Sequence, residues 1–271
     1  MPENYIVKAN ARTSLSNKWP KAIGIGAIFL SILCLYAVLL DLISFPLSIM
    51  FGSFTSLFIK VATLVILSQF FAMPLLYGML RWFWFTSADY DVPIKEIFCY
   101  FLSGKEYLRA FSLSIRIFTR SSSILLLCFS PSLIIVAISS PTTYDILDTA
   151  MPYWASSVWA LGNMLTIFGI IMSFVLLLRY FAAPILMIND PSITPHEALD
   201  LSVIITKNVS GKTLSFVLSF FGWFALSLLY VPVIFTIPYF LACYSVYCRF
   251  LINCYNRQVA TINTNQLNQT I

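Results

Sequence analysis

Long apolar runs separated by short polar segments constrain this chain more than any other feature of its sequence. They recur from Ile23 to Leu251, and no polar block between them is large enough for a separate globular core. A helix needs about 20 apolar residues to cross the hydrocarbon layer of a membrane. Only 10% of the residues are charged, whereas soluble domains average about 25%. The exterior is therefore predicted to face lipid.

Six stretches meet this length requirement, and the chain is predicted to be a single all-α integral membrane domain, a polytopic helical bundle. The predicted spans lie at about residues 22–40, 54–80, 121–139, 158–178, 213–231 and 233–252. The last two are almost contiguous, so residues 232–238 are predicted to form a tight reversal or a bent, re-entrant element. The first run lacks a small-residue cleavage pattern and is predicted to be a retained helix.

Lysine and arginine fall on one side of the predicted spans. The opposite side carries Asp41, Asp145 and Asp148 and no basic residue in its loops. Because basic loops are retained in the cytoplasm during insertion, this asymmetry predicts a multi-pass protein of the cell membrane with both termini cytoplasmic. Lys60 is the exception, near the outer end of the second span. A side chain that snorkels to the interface is favoured there over a buried functional charge.

Two connections on the predicted cytoplasmic side share a pattern. Each begins with Phe-Ala-x-Pro, at residues 71–74 and 181–184, and closes with Ser-Gly-Lys, at residues 103–105 and 210–212. The pattern predicts an internal repeat with an axis along the membrane normal, as in parallel-repeat membrane folds. The glycine of each Ser-Gly-Lys is predicted to adopt the left-handed conformation that ends a helix.

Each repeated connection is predicted to contain an amphipathic helix on the inner membrane surface, at about residues 92–103 and 195–209. In the first helix the predicted apolar stripe is Ile94, Ile97, Phe98, Phe101 and Leu102. In the second, Thr194 is predicted to cap the N-terminus and Glu197 to complete a capping box. The predicted apolar face of the second helix is Ala198, Leu201, Ile204 and Ile205.

The last third of the chain carries a family resemblance. Its motifs are Pro-Ile-Leu-Met-Ile-Asn-Asp-Pro at residues 184–191, Glu197-Ala198 with Ser202, Gly211-Lys212, Leu-Ser-Phe-Phe-Gly-Trp at 218–223, and Ile-Pro-Tyr at 237–239 with Tyr247. In these motifs the chain resembles an uncharacterised bacterial multi-pass integral membrane family, a domain of unknown function. That family is akin to the membrane domain of some glycerophosphodiester phosphodiesterases. The resemblance implies a helical membrane fold and no known catalytic residue.

The one histidine, His196, lies one turn before Asp200, a spacing similar to that of the metalloprotease helix in which two histidines bind zinc. Aspartate replaces the second histidine, and Glu197 is already assigned to the capping box. Helix capping is therefore favoured over a metal site. The sequence offers no phosphate loop and no nucleophile–base pair, so no catalytic residue, metal or cofactor is predicted.

Two features are predicted to contact lipid. The Trp-Phe-Trp-Phe run at residues 82–85 is predicted to form an interfacial belt at the inner leaflet rather than a ligand platform. Arg109, Arg116 and Arg120 recur on a helix that approaches the third span, and anionic lipid headgroups are their predicted counter-charges.

Three functions are compatible with these features. The leading hypothesis is a non-enzymatic accessory, scaffold or immunity-like factor that binds a membrane-protein partner or a second copy of itself, and no nucleic acid. A small transporter or channel is the alternative, although the spans contain almost no ionisable residue. A lipid-modifying or proteolytic enzyme would depend on His196. The candidate functional or lipid-contact residues are Lys60, Arg109, Arg116, Arg120, His196 and Glu197.

Overall fold

The computed structural model describes residues 3–51, 53–140, 152–207, 209–229 and 232–269, and within these ranges the chain is helical without a strand. Five stretches are long and apolar enough to cross a membrane: Trp19–Leu42, Leu57–Thr86, Gly104–Ser139, Tyr153–Asn189 and Val233–Thr261. A sixth is obtained if Pro195–Lys207 and Ser210–Ser227, which meet at 91°, count as one span. The predicted all-α polytopic bundle is confirmed.

The first two membrane helices form a hairpin. The elements are α1 (Asn4–Leu15), α2 (Trp19–Phe51), α3 (Ser53–Leu67), a π-helical turn (Ser68–Ala72) and α4 (Met73–Thr86). α2 packs along α3, and the Tyr36 hydroxyl donates a hydrogen bond to the Leu64 carbonyl at 2.9 Å. The π-helical turn directly precedes the first turn of α4, which holds Pro74. Because Pro74 has no N–H, the Phe70 carbonyl four residues earlier is left without its helical donor.

The second hairpin is held together by small residues. A 3₁₀ stretch (Ile94–Phe98) and α5 (Cys99–Leu102) lead into α6 (Gly104–Ser139), which packs against α7 (Tyr153–Leu177). Ala155, Gly162 and Gly169, one heptad apart on α7, are buried. A Cβ on Gly169 would stand 2.9 Å from the Cys128 carbonyl oxygen of α6. The two backbones therefore touch, as is common where small residues line a membrane helix pair.

The predicted helix-ending glycines instead lie at helix starts. Gly104 is the first residue of α6, and Gly211 is the second residue of α10 (Ser210–Leu218). Neither has a left-handed φ. The prediction was wrong because a Ser-Gly pair also suits an N-terminus. Ser103 has the extended conformation of an N-cap residue (φ −126°, ψ 118°).

The predicted fifth span is not one straight helix. The remaining elements are a 3₁₀ turn (Leu178–Tyr180), α8 (Ala183–Asn189), α9 (Pro195–Lys207), α10, α11 (Phe221–Ser227) and α12 (Val233–Gln269). α10 and α11 are separated by Ser219 and Phe220. A Cβ on Gly26 of α2 would lie 3.0 Å from Pro238 of α12, and the Trp19 and Tyr239 rings stack. α12 thus begins beside the first third of α2, which favours the re-entrant alternative for this region.

The largest cluster of buried side chains lies where the two hairpins meet. We call this region the joined end; it consists of α1, α4, α8, α9 and the middle of α12, with the adjoining starts of α2 and α6. Trp82 and Phe83 are each 1% exposed within it, and the Trp82 indole N–H donates to the Val92 carbonyl at 3.0 Å. The predicted interfacial belt at residues 82–85 was therefore wrong. Tryptophan is equally suited to a protein core when its N–H finds a partner.

α1 was not predicted as a structural element. Every fourth residue along one face of α1 is fully buried: Val7, Ala11 and Leu15. These side chains pack α1 against α12. Lys8 donates from its ammonium group to the Ser219 carbonyl at 3.0 Å and lies 4.6 Å from the centre of the Phe220 ring. Through Lys8, α1 therefore stabilises the two residues that separate α10 from α11. The spacing of Val7, Ala11 and Leu15 is visible in the sequence.

The two predicted amphipathic segments fold differently from one another. In the first, the buried residues are Ile97 and Tyr100, three apart, while Leu102 is 83% exposed. The predicted stripe was wrong because residues 94–98 form a 3₁₀ helix, whose period is about three residues. In the second, Thr194 and Glu197 exchange hydrogen bonds of 2.8 and 3.3 Å, which confirms the capping box.

The buried face of α9 also differs from the prediction. Ala198 and Ile205 are buried as expected, but Ile204 is 58% exposed. The polar side chains of Ser202 and Thr206, which were not part of the predicted apolar face, are fully buried. These polar side chains are buried because they bond to the backbone at the 3₁₀ turn before α8.

Candidate functional site

Two irregular turns near the joined end, the π-helical turn before α4 and the 3₁₀ turn before α8, free main-chain carbonyls that side-chain hydroxyls satisfy. At the turn before α4, the Tyr107 hydroxyl donates to the Phe70 carbonyl at 3.0 Å. At the turn before α8, Ser202 and Thr206 donate to the Arg179 carbonyl at 2.8 and 3.1 Å. Inside a membrane protein an irregular backbone is stable only where such partners exist.

Lys60 is paired with a carboxylate. Its ammonium group forms an ion pair with Asp41 across the α2–α3 hairpin, with the lysine side chain 39% exposed and the aspartate 68% exposed. Both residues lie at the end of the hairpin far from the joined end. The sequence alternatives were a snorkelling side chain and a buried functional charge, and the structure adds a partner that neither alternative included.

Arg109 is bound within the protein rather than presented to lipid. Its Nη2 atom donates to the carbonyls of Asp190 at 3.0 Å and Ile193 at 2.6 Å, and its side chain is 14% exposed. It thus ties α6 to the loop between α8 and α9. Hydrogen bonds from Ser192 lower the pKa of the Asp190 carboxyl, with a smaller effect from Arg109. The structure thus adds two protein acceptors for Arg109, and the contact with anionic headgroups stays a prediction.

Arg120 and His196 meet at one carboxylate. Asp200 accepts from Arg120 Nη1 at 2.9 Å and lies 2.8 Å from His196 Nδ1. The cluster joins α6 to α9 and gives Arg120 a protein counter-charge, while its predicted contact with a lipid headgroup stays a prediction. Arg116 is exposed and bonds only weakly to Ser112, at 3.3 Å, which leaves it open to lipid headgroups.

The His196 segment serves helix capping. The Thr194 hydrogen bonds lower the pKa of the Glu197 carboxyl, because they stabilise its ionised form at the positive end of α9. Within the described residues no group of three His, Cys, Asp or Glu side chains is arranged to hold a metal ion.

Arg249 of α12 is the functional candidate that the sequence interpretation passed over. Its Nη2 atom donates to the Trp84 carbonyl at 2.7 Å and to Ser87 Oγ at 3.1 Å, at the C-terminus of α4. The guanidinium carbon lies 4.5 Å from the centre of the Trp84 ring. The signal was a single arginine late in an apolar run, which by default marks a functional position in a membrane segment.

Two polar grooves flank Arg249. One, of about 300 Å³, is lined by Asn10, Thr13, Ser14, Ser87, Asp89, Val246, Arg249, Phe250 and Asn253. The other, of about 420 Å³, is lined by Trp84, Phe85, Ala88, Tyr90, Asn189, Arg249, Ile252, Asn253 and Asn256. We call the second the Arg249 groove.

The loop after α4 forms one wall of these grooves. It is bonded to Lys18, directly before α2, and to Lys21 in the first turn of α2. Lys18 donates to the Tyr90 carbonyl at 3.2 Å, and Lys21 pairs with Asp91 at 2.7 Å. The Lys21 ammonium lowers the pKa of the Asp91 carboxyl by hydrogen bonding and by charge. Asp89 has a positive φ of 64°, a conformation that aspartate tolerates better than most residues.

Comparison of the chain with models of known protein families gives no match, and comparisons with curated proteins and with solved structures give no significant match. The family resemblance of the last third therefore stays a prediction.

Proposed function

We propose that the protein is a non-enzymatic accessory or scaffolding subunit of a larger assembly in the cell membrane, with the joined end and both termini in the cytoplasm. The observation that carries this proposal is the low self-burial of the hairpins. In their most apolar stretches 17%, 11%, 6% and 22% of the residues are buried, compared with 61% for the stretch in α12. The lateral faces of both hairpins are therefore available to lipid and to another membrane protein.

A transporter is the second candidate, because irregular backbone occurs in both repeated connections. The irregular turns occur at equivalent places in the two connections, before Pro74 and Pro184, and α4 packs against α8. We infer from this correspondence that the connections descend from a duplicated unit. Broken helices often line the substrate site of transporters, where freed carbonyls coordinate ions. Here the Phe70 and Arg179 carbonyls accept from protein hydroxyls, which supports a structural role for the turns.

Site-specific photo-crosslinking in cells tests the accessory role. Leu127 of α6 and Met164 of α7 are 75% and 68% exposed, whereas Leu113 is fully buried and serves as the matched control. We expect a crosslinker at Leu127 or Met164 to capture one membrane protein, and a crosslinker at Leu113 to capture none. The captured protein should also co-purify with this chain in a fixed stoichiometry. Leu127→Trp should reduce co-purification without changing the amount of protein in the membrane.

The opposite results would favour the transporter. If crosslinking captures lipid alone and the purified protein moves a solute across liposomes, the accessory role is wrong. The orientation is tested separately in a cysteine-free background with a membrane-impermeant thiol reagent. Asn17→Cys should be protected in intact cells and Thr142→Cys should be labelled.

A further inference from the structure

Arg249 has no carboxylate within ion-pair distance in the described part of the chain, as is also true of Lys8 and Lys18, which bond to main-chain carbonyls. Lys21, Arg81, Arg109 and Arg120 each lie within ion-pair distance of an acidic side chain. In the described part of the chain Arg249 has no such partner, although it is partly buried. Asp89, which lines the smaller groove together with Arg249, supplies a favourable charge without bonding to the guanidinium, and a partly buried cation is unfavourable without such stabilising groups.

Protein groups satisfy only part of the hydrogen-bonding capacity of the Arg249 guanidinium. Nη2 bonds to the end of α4, where the helix dipole is negative, and the Trp84 ring contributes a cation–π contact. The Nε atom, in contrast, is buried without a hydrogen-bond partner within the described residues. Buried donors almost always have a partner. Arg81 Nε is also buried without one, but of the two arginines only Arg249 lines the larger groove, where an acceptor can reach it.

The Arg249 groove supplies further donors for an anion. Asn253 and Asn256 follow Arg249 at i+4 and i+7 and therefore share its face of α12. Asn189 lines the same groove from the end of α8. No carboxylate is among the described residues that line this groove; Asp89 lines the smaller groove, which shares Arg249. Its volume of about 420 Å³ falls in the range of small-molecule sites.

We propose that the Arg249 groove binds the phosphate group of an anionic molecule. A guanidinium fork matches phosphate oxygens, and three amide side chains can donate to the remaining oxygens of a tetrahedral anion. The phosphate could come from a lipid headgroup or from a soluble phosphate ester. This proposal is independent of the accessory role.

Two probes distinguish the sources of the phosphate. For lipid, native mass spectrometry measures how much phosphatidylglycerol the protein retains when it is released from nanodiscs of phosphatidylglycerol and phosphatidylcholine. For soluble ester, phosphorus NMR measures line broadening of glycerol phosphate by the protein in phosphatidylcholine nanodiscs. We expect specific retention in one arm or broadening in the other, and either result supports the site.

Asn256→Asp is the decisive variant, because it adds a negative charge to the groove and leaves the Arg249 contacts with α4 intact. We expect binding to fall by at least about tenfold through charge repulsion. Asn17→Asp, an exposed position outside the groove, makes the same change and should leave binding unchanged. Absence of binding in both arms, or an equal loss in the two variants, would overturn the proposal.

Discussion

The backbone of Ile97 lies directly on Gly78. A Cβ at residue 78 would overlap the Ile97 carbonyl oxygen and stand 2.7 Å from its carbonyl carbon. This close approach seats the 3₁₀ stretch on α4 and places the Ile97 side chain in the interior.

Gly78→Ala should therefore destabilise the protein by about 1–3 kcal/mol or more, because backbone rather than a flexible side chain must move. Unfolding of the purified protein in mixed detergent micelles measures the change. Gly24→Ala is the matched control, since a Cβ there meets nothing within 4 Å. A comparable loss in both variants would show that the contact is not the cause.

Arg109→Lys should lower the free energy of unfolding by about 1–3 kcal/mol, because an ammonium group cannot reproduce the guanidinium contacts with two carbonyls. Arg116→Lys changes an exposed arginine on the same helix and should be neutral within about 0.5 kcal/mol. The same unfolding assay compares the two. Equal effects would contradict a specific role of the two carbonyl contacts of Arg109.

The capping box of α9 should weaken in acid. The folded-state pKa of Glu197 is lowered from its ordinary value of 4.5, so its contribution is present above that value and is lost as the pH falls through the lowered pKa. Hydrogen exchange in the first turn of α9, corrected for its intrinsic pH dependence, should accelerate in this window. Glu197→Gln keeps an acceptor that does not titrate and should remove the pH dependence; persistence of the effect in that variant would assign it elsewhere.

The Lys60–Asp41 pair should contribute little to stability. Both side chains are more than a third exposed, so a double-mutant cycle with Lys60→Ala and Asp41→Ala should give a coupling of about 0.2–1 kcal/mol. If the protein transports a solute and Lys60→Ala abolishes the flux while unfolding is unchanged, the lysine has a functional role that this ion pair does not explain.

Local signals were the ones that could be predicted from the sequence. Apolar runs identify the membrane helices because length and polarity alone decide whether a helix can cross the bilayer. Thr194 and Glu197 were assigned correctly because a capping box involves residues three apart in the chain. The stripe at residues 94–102 failed because α and 3₁₀ periods are difficult to separate over two turns.

Contacts between distant residues could not be predicted. Arg109 binds carbonyls 81 and 84 residues away, and Arg249 binds one 165 residues away. A basic residue beside a membrane helix has the same appearance in a sequence whether its acceptor is a lipid phosphate or a helix C-terminus. The tryptophans of α4 present the same ambiguity, because interfacial belts and buried cores both favour tryptophan.

The arrangement of the hairpins has a mechanical consequence. Their principal contacts lie at the joined end, and each hairpin is held along its length by its own seam. A change in bilayer thickness can therefore be accommodated by tilting one hairpin relative to the other, while the seams and the joined end stay intact.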